Sequence, residues 1–174
     1  YPTSDPPSLE EELHRVIPVV KALNAVLTIP ISVDTYRAKV AEASLSCGAS
    51  MINDVWGLQH DPDIARVVRD ASVPVVLMHN KSNPDYTNLI PNIISDLNNL
   101  MNKAIDVGIH TNNIILDPGI GFGKTPDQNI EVLRNLGEFK KLGQPLMVGT
   151  SRKSTIGHVL NLPTDDRIEG TAAT

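Results

Sequence analysis

Five times along this chain a short apolar run stops at a polar side chain and gives way to an amphipathic segment. That rhythm limits the fold more than any other feature. The runs are residues 28–33 (TIPISV), 50–52, 73–78 (VPVVLM), 113–116 and 145–148. Each is too short for a helix, and continuous apolarity suits a strand covered on both faces. Strands alternating with helices predict an α/β class with a parallel sheet and helices on its outer side. A (β/α)8 barrel and an open doubly wound sheet both satisfy the pattern, and periodicity does not choose between them.

The helices between the runs carry their own start and stop signals. Ser8 with Glu11 forms a capping box, and Glu10, Glu11 and Glu12 sit where the helix dipole favours anions. Pro18 is expected to bend that helix. A second helix covers 36–46 and stops at Gly48, with Cys47 packed as a small hydrophobe in its last turn. Asp61 and Pro62 read as N-cap and first residue of a helix to about Asp70. A long helix over 91–107 is closed by Gly108. Thr125 with Gln128 is another capping box, with Pro126 at the first position, opening a helix to about Leu136. Residues 155–160 and a segment from Asp165 make the last helices. Residues 1–7, with three prolines, read as a loop, and 81–88 as a long polar loop of functional type.

The chain has 174 residues, 41% of them apolar, which predicts one domain over residues 1–174 with a real core. A net charge of −5 speaks against nucleic acid or an anionic membrane as main partner. One cysteine excludes an internal disulfide and fits a reducing, cytoplasmic compartment. No apolar run reaches the length of a transmembrane helix, and the N-terminus resembles neither a secretory signal nor a transit peptide.

What closes each run is chemical: Asp34; Asn53 with Asp54; His79 with Asn80; Asp117; then Arg152 and Lys153. In either α/β architecture these positions lie at the carboxyl edge of the sheet, where ligands bind. Five polar strand ends in a row are costly without a shared ligand or a wet cleft. The stretch IILDPGIGFGK over 114–124 shows the pattern most fully, because glycines after Asp117 let a ligand approach the backbone. Two carboxylates and an amide suit a heterocycle with several N–H donors, such as an aminopyrimidinone. Lys153 is a compact cation for a ring oxygen or an anionic leaving group. Phe122 and Met78 are either flat walls for the ligand or ordinary packing. Arg152 is expected to pair with a carboxylate as a brace. GIGFGK lacks the spacing of a phosphate loop and of a dinucleotide fingerprint. His79 has no second histidine at metal-ligand spacing.

Taken together, SVDT at 32–35, INDVWG at 52–57, VLMHN at 76–80, LDPGIGFGK at 116–124 and GTSRKS at 149–154 resemble the dihydropteroate synthase family. The resemblance runs from Ser8 to Thr174. It implies a (β/α)8 barrel, present here as an incomplete barrel of about five parallel strands. It implies a transferase that joins 6-hydroxymethyl-7,8-dihydropterin diphosphate to p-aminobenzoate, releasing pyrophosphate. By position, Asp34, Asn53, Met78, Asp117 and Lys153 match pterin-site residues. Gly121 and Phe122 match the loop between the two substrates, and Ser154 a residue near the p-aminobenzoate carboxylate. Asp34, Asp117 and Lys153 take the catalytic roles. The resemblance also implies Mg²⁺ on the diphosphate, a homodimer at full length and sensitivity to sulfonamides. The family's metal-holding Asn, its Ser-Thr-Arg-Pro loop and its final Arg-His strand have no match here. No metal ligand is therefore assigned within the chain, and the chain reads as part of a longer protein. The alternatives are a methyltetrahydrofolate-binding methyltransferase domain and a non-catalytic pterin-binding remnant.

Overall fold

A computed structural model describes residues 6–174. Four parallel strands, β1 (Ser32–Asp34), β2 (Met51–Asp54), β3 (Val75–Met78) and β4 (Ile114–Asp117), form one sheet in sequence order. The helices are α1 (Leu9–Asn24), α2 (Ala38–Ser46), α3 (Asp63–Ala71), α4 (Leu89–Val107), α5 (Pro126–Arg134), α6 (Leu136–Phe139), α7 (Ser154–Leu160) and α8 (Ile168–Ala172). Sequential parallel order with a helix in each crossover is the arrangement of an incomplete (β/α)8 barrel wall.

β1 and β3 are shorter than their apolar runs, and proline is the reason. Pro30 and Pro74 have no N–H for a ladder, and β1 and β3 begin just after them. Beyond Pro30 the pairing is completed by a side chain: Ser50 Oγ accepts from Ile31 N at 3.0 Å. The fifth run meets the sheet at one parallel bridge, Leu116 to Leu146. Two hydrogen bonds make it, Leu116 N to Pro145 O at 3.0 Å and Met147 N to Leu116 O at 2.9 Å.

Alternation along the strands sorts the interior. Val33, Ile52, Val75, Leu77, Ile114 and Leu116 point to the helices and join one buried cluster. Against them lie Ala38 and Ala41 of α2, Ile64 and Val68 of α3, and Ile93, Leu97, Leu100 and Ala104 of α4. Those α4 residues recur at three, four and seven positions, the spacing of a single helix face.

The caps are partly as the sequence predicts. Thr125 and Gln128 form the full reciprocal box. At α1 only half a box forms: Ser8 Oγ accepts from Glu11 N at 3.2 Å, while the Glu11 carboxylate turns to Arg15 at 2.6 Å. α1 runs through Pro18 without a break in its assignment. Asp61 serves two helices, accepting from Ala38 N of α2 at 2.8 Å and from Asp63 N of α3 at 3.2 Å. No helix among the described residues is long and apolar enough to cross a membrane.

Candidate functional site

The register of the sheet decides which strand-end residues share a face. Asp34 pairs with Asn53 and Asn53 with Val76; Val76 pairs with Ile115, and Met78 with Asp117. Partners in register point the same way, and so do residues two apart on one strand. Asp34, Asn53, Met78 and Asp117 therefore lie on one face, opposite the helices. Asp117 and Met78 stand about 7 Å further along the strand direction than the Asp34–Asn53 pair. The Asp34–Asn53 end of this face is open, with Asp34 exposed and Asn53 half-buried, whereas Met78 and Asp117 are buried. A hollow of 450 Å³, lined by Glu42, Asp63 and Arg66 among others, lies instead on the outer side between α2 and α3.

The other polar strand ends fall on the helix side and serve the fold. Asp54, 1% exposed, accepts from Trp56 N at 2.9 Å and Leu58 N at 2.7 Å, closing the turn after β2. His79, 2% exposed, faces α4, where its Nε2 lies 3.2 Å from Asp96 Oδ2.

On the open face, Asn53 Nδ2 donates to Asp34 Oδ2 at 3.2 Å. Asn53 Oδ1 is buried and has no partner among the described residues. An orphaned buried acceptor calls for a donor from a ligand or water. Withdrawal from water pushes the Asp34 carboxyl above its ordinary value, against the hydrogen bond from Asn53; the charge of Glu12 adds to the rise. Glu12 also clamps the turn after Asp34, accepting from Thr35 Oγ1 and Arg37 Nη1, both at 2.7 Å.

Asp117 is 5% exposed, and its Oδ1 accepts from Gly119 N at 2.7 Å. Burial pushes its pKa up; the Gly119 hydrogen bond and the charges of Lys153 and Lys124 pull it down. Lys153 sits at the mouth of α7. Its ammonium donates to Ile120 O and lies 4.9 Å from the Phe122 ring centroid. Burial lowers the Lys153 pKa, and Asp117 opposes that. Gly121 is pressed by the same side chain, since a Cβ there would meet Lys153 Cδ at 3.1 Å. Gly121 N donates to Asn129 Oδ1 at 2.7 Å. Ser154 is exposed beside Lys153. Arg152 is the expected brace, bound to Asp165 at 2.5 Å and to Thr164 O at 3.2 Å.

The predicted residues thus form two neighbouring groups. One is the acceptor pair Asp34–Asn53; the other is Asp117 and Met78 with Gly121, Phe122, Lys153 and Ser154 around the turn beyond. Acceptors on a flat face beside an aromatic ring and a cation can hold a planar heterocycle and an anionic group together. Sequence reasoning missed Glu12, Asn129, Lys124 and Asp96, which position the others. Asn129 had a usable signal, being a polar residue on the buried face of α5 with Val132 three positions on.

Among the described residues no group of three or more His, Cys, Asp or Glu converges as metal ligands. Two lysines near Asp117 further disfavour a cation there. The described residues by themselves do not make a magnesium centre.

Comparison with known proteins gives a consistent match. The pterin binding enzyme family matches residues 1–174. Dihydropteroate synthase from Clostridium beijerinckii is 53% identical over 167 residues, which are 96% of this chain and 62% of that protein. A crystal structure of dihydropteroate synthase from Clostridium difficile, determined in the presence of pteroic acid, superposes with a TM-score of 0.96. It is 46% identical, with 99% of this chain and 66% of that one covered. The Xanthomonas albilineans synthase with 4-aminobenzoic acid gives a TM-score of 0.96 at 37% identity, covering 99% of this chain and 63% of that one. The chain therefore spans less than two thirds of the relatives it matches.

Proposed function

The chain belongs to the pterin binding enzyme family, and we propose that it is the pterin-binding part of a dihydropteroate synthase. Residues 1–174 act in this reading as a single pterin-binding unit. The observation that carries it is the common face of Asp34, Asn53, Met78 and Asp117, with Lys153 and Phe122 at its edge.

The pterin ring lies on that face. Its ring N–H and amino groups donate to Asp117, Asp34 and the unpartnered Asn53 Oδ1, and Met78 packs under the ring. Phe122 and Gly121 form the wall shared with p-aminobenzoate, and Ser154 meets its carboxylate. The reaction breaks the bond from the pterin methylene carbon to the diphosphate oxygen. The electron pair leaves with pyrophosphate, and the methylene carbon becomes cationic. Asp34 and Asp117 stabilise that charge from fixed positions, an effect strongest where water is excluded. Lys153 holds the ring oxygen or the departing anion. The p-aminobenzoate amine then forms the new C–N bond and loses a proton. No side chain is needed as a nucleophile.

Mg²⁺ on the diphosphate belongs to the family reading; the described residues offer no ligand set for it, and no step above is assigned to it. The family reading also includes a cytoplasmic homodimer and sensitivity to sulfonamides. The relatives matched are named as synthases, which leaves methyl transfer from a folate without support.

The test is consumption of p-aminobenzoate by the full-length protein, dependent on pterin diphosphate. Asp117→Asn and Lys153→Ala are each expected to lower kcat/KM at least a hundredfold, about 3 kcal/mol of transition-state stabilisation. Unchanged turnover in both would sink the assignment.

A further inference from the structure

We infer that Lys124 is a positioning residue for the proposed pterin site. Its ammonium staples the Gly119–Phe122 turn to the end of β3 through His79, and Asp96 of α4 fixes the imidazole from behind. The staple stands on geometry; its effect on ligand binding rests on the pterin reading above.

Lys124 Nζ lies 3.0 Å from Gly119 O, 3.1 Å from Phe122 O and 3.1 Å from His79 Nδ1. An ammonium has three donors and no acceptor, so these three partners saturate it. Phe122 N also donates to Gly119 O at 3.1 Å. Both carbonyls that bound the turn are thus tied to one cation. The turn cannot slide away, because Gly119 presses on β3: a Cβ there would lie 2.0 Å from His79 O. The neighbours of Lys124 are the residues that present the site: Gly119 N–H holds the Asp117 carboxylate, and Phe122 carries the ring under Lys153. The lysine of the GFGK motif is therefore used inside the loop and not offered to a phosphate.

The same geometry assigns a tautomer. His79 Nδ1 must be unprotonated to accept from Lys124, so Nε2 carries the proton and donates to Asp96 Oδ2 at 3.2 Å. Burial and the charge of Lys124 hold His79 down to about 4, against the pull of Asp96, with Lys81 adding a little to the lowering. Burial lowers Lys124 to about 8, with Asp117 opposing and Lys153 assisting.

Nitrogen-detected imidazole spectra of the full-length protein test the staple, and calorimetry with a pterin analogue tests its consequence. His79 is expected as the neutral Nε2–H tautomer down to pH 5. Lys124→Met removes the cation, so the His79 pKa rises, and the analogue binds about tenfold more weakly through loss of a charge-assisted contact to the turn. Lys124→Arg keeps the charge and returns His79 toward its low value. An unchanged His79 spectrum in Lys124→Met overturns the staple; a changed spectrum with unchanged affinity overturns the positioning role. Should Lys124→Met not fold, Asp96→Asn is read instead: Lys124 still fills Nδ1, so retention of the Nε2–H tautomer supports the staple, and a shift to Nδ1–H refutes it. If the parent protein does not bind the analogue, the pterin reading fails while the spectra still decide the staple.

Discussion

Acid should destabilise this protein through one buried imidazole. His79 is 2% exposed, wedged between a lysine and an aspartate, with a pKa lowered from 6.5 to about 4. The unfolded chain takes up this proton as pH falls below 6.5, whereas the folded chain refuses it until about pH 4. Stability is therefore complete above pH 6.5 and is lost as pH falls through that window. Two such pKa values make His79 worth about 2 kcal/mol less at pH 4.5 than at pH 7. Asp34, Asp54 and Asp117 act in the opposite direction, because burial raises their pKa and the folded state binds their protons first. The His79 effect is isolated by comparison with His79→Gln, whose amide oxygen accepts from Lys124 and whose nitrogen donates to Asp96 without titrating. Urea unfolding of the full-length protein, followed by Trp56 fluorescence at pH 7, 6, 5 and 4.5, measures both. The gap between parent and variant should move by about 2 kcal/mol toward the variant on acidification. Parallel loss in the two proteins would refute the reasoning.

Three further substitutions test the supports of the site. Gly119→Ala forces a Cβ onto His79 O at a positive φ of 72° and should cost at least about 3 kcal/mol, read as a fall in Tm. Asn129→Ala removes the acceptor for Gly121 N, with the amide 2% exposed; about 2 kcal/mol in urea unfolding is expected, and weaker pterin-analogue binding with it. Glu12→Ala leaves the Arg37 guanidinium and the Thr35 hydroxyl without their shared acceptor. About 2 kcal/mol should be lost in urea, and the Asp34 pKa, followed by carboxyl-carbon NMR, should fall as a neighbouring negative charge goes.

The parallel sheet and the order of its elements were legible from apolar runs and caps, because each signal is local. Thr125 with Gln128 and Gly108 are cases in which sequence and structure coincide closely. The strand starts were misplaced because Pro30 and Pro74 interrupt the ladder inside runs that remain apolar. The fifth run is a strand by composition and one bridge in space, since pairing depends on a neighbour that no local pattern reveals. At the site, the polar strand ends were all visible, but their division was not drawn. Alternation already separates Asn53 from Asp54 and Met78 from His79, so parity within each run was an unused signal. Lys124, Asp96 and Glu12 were harder. Their roles come from contacts across 45, 17 and 23 residues of sequence, which single-chain patterning does not encode.

The two signs of charge in the site ride on differently built supports. Asp34, Asn53 and Asp117 lie in strands locked in a ladder, whereas Lys153 follows a segment that joins the sheet by one bridge at Leu146, packs Leu146 and Val148 on the core, and is tied to α8 and its approach. There Thr171 Oγ1 accepts from Arg152 N at 2.9 Å, and Arg167 Nη1 donates to Arg152 O at 3.1 Å. Segments with few ladder bonds open at lower free energy than a sheet interior. The acceptor side of the candidate site thus rests on the stiffer support, and the cation side on the more yielding one.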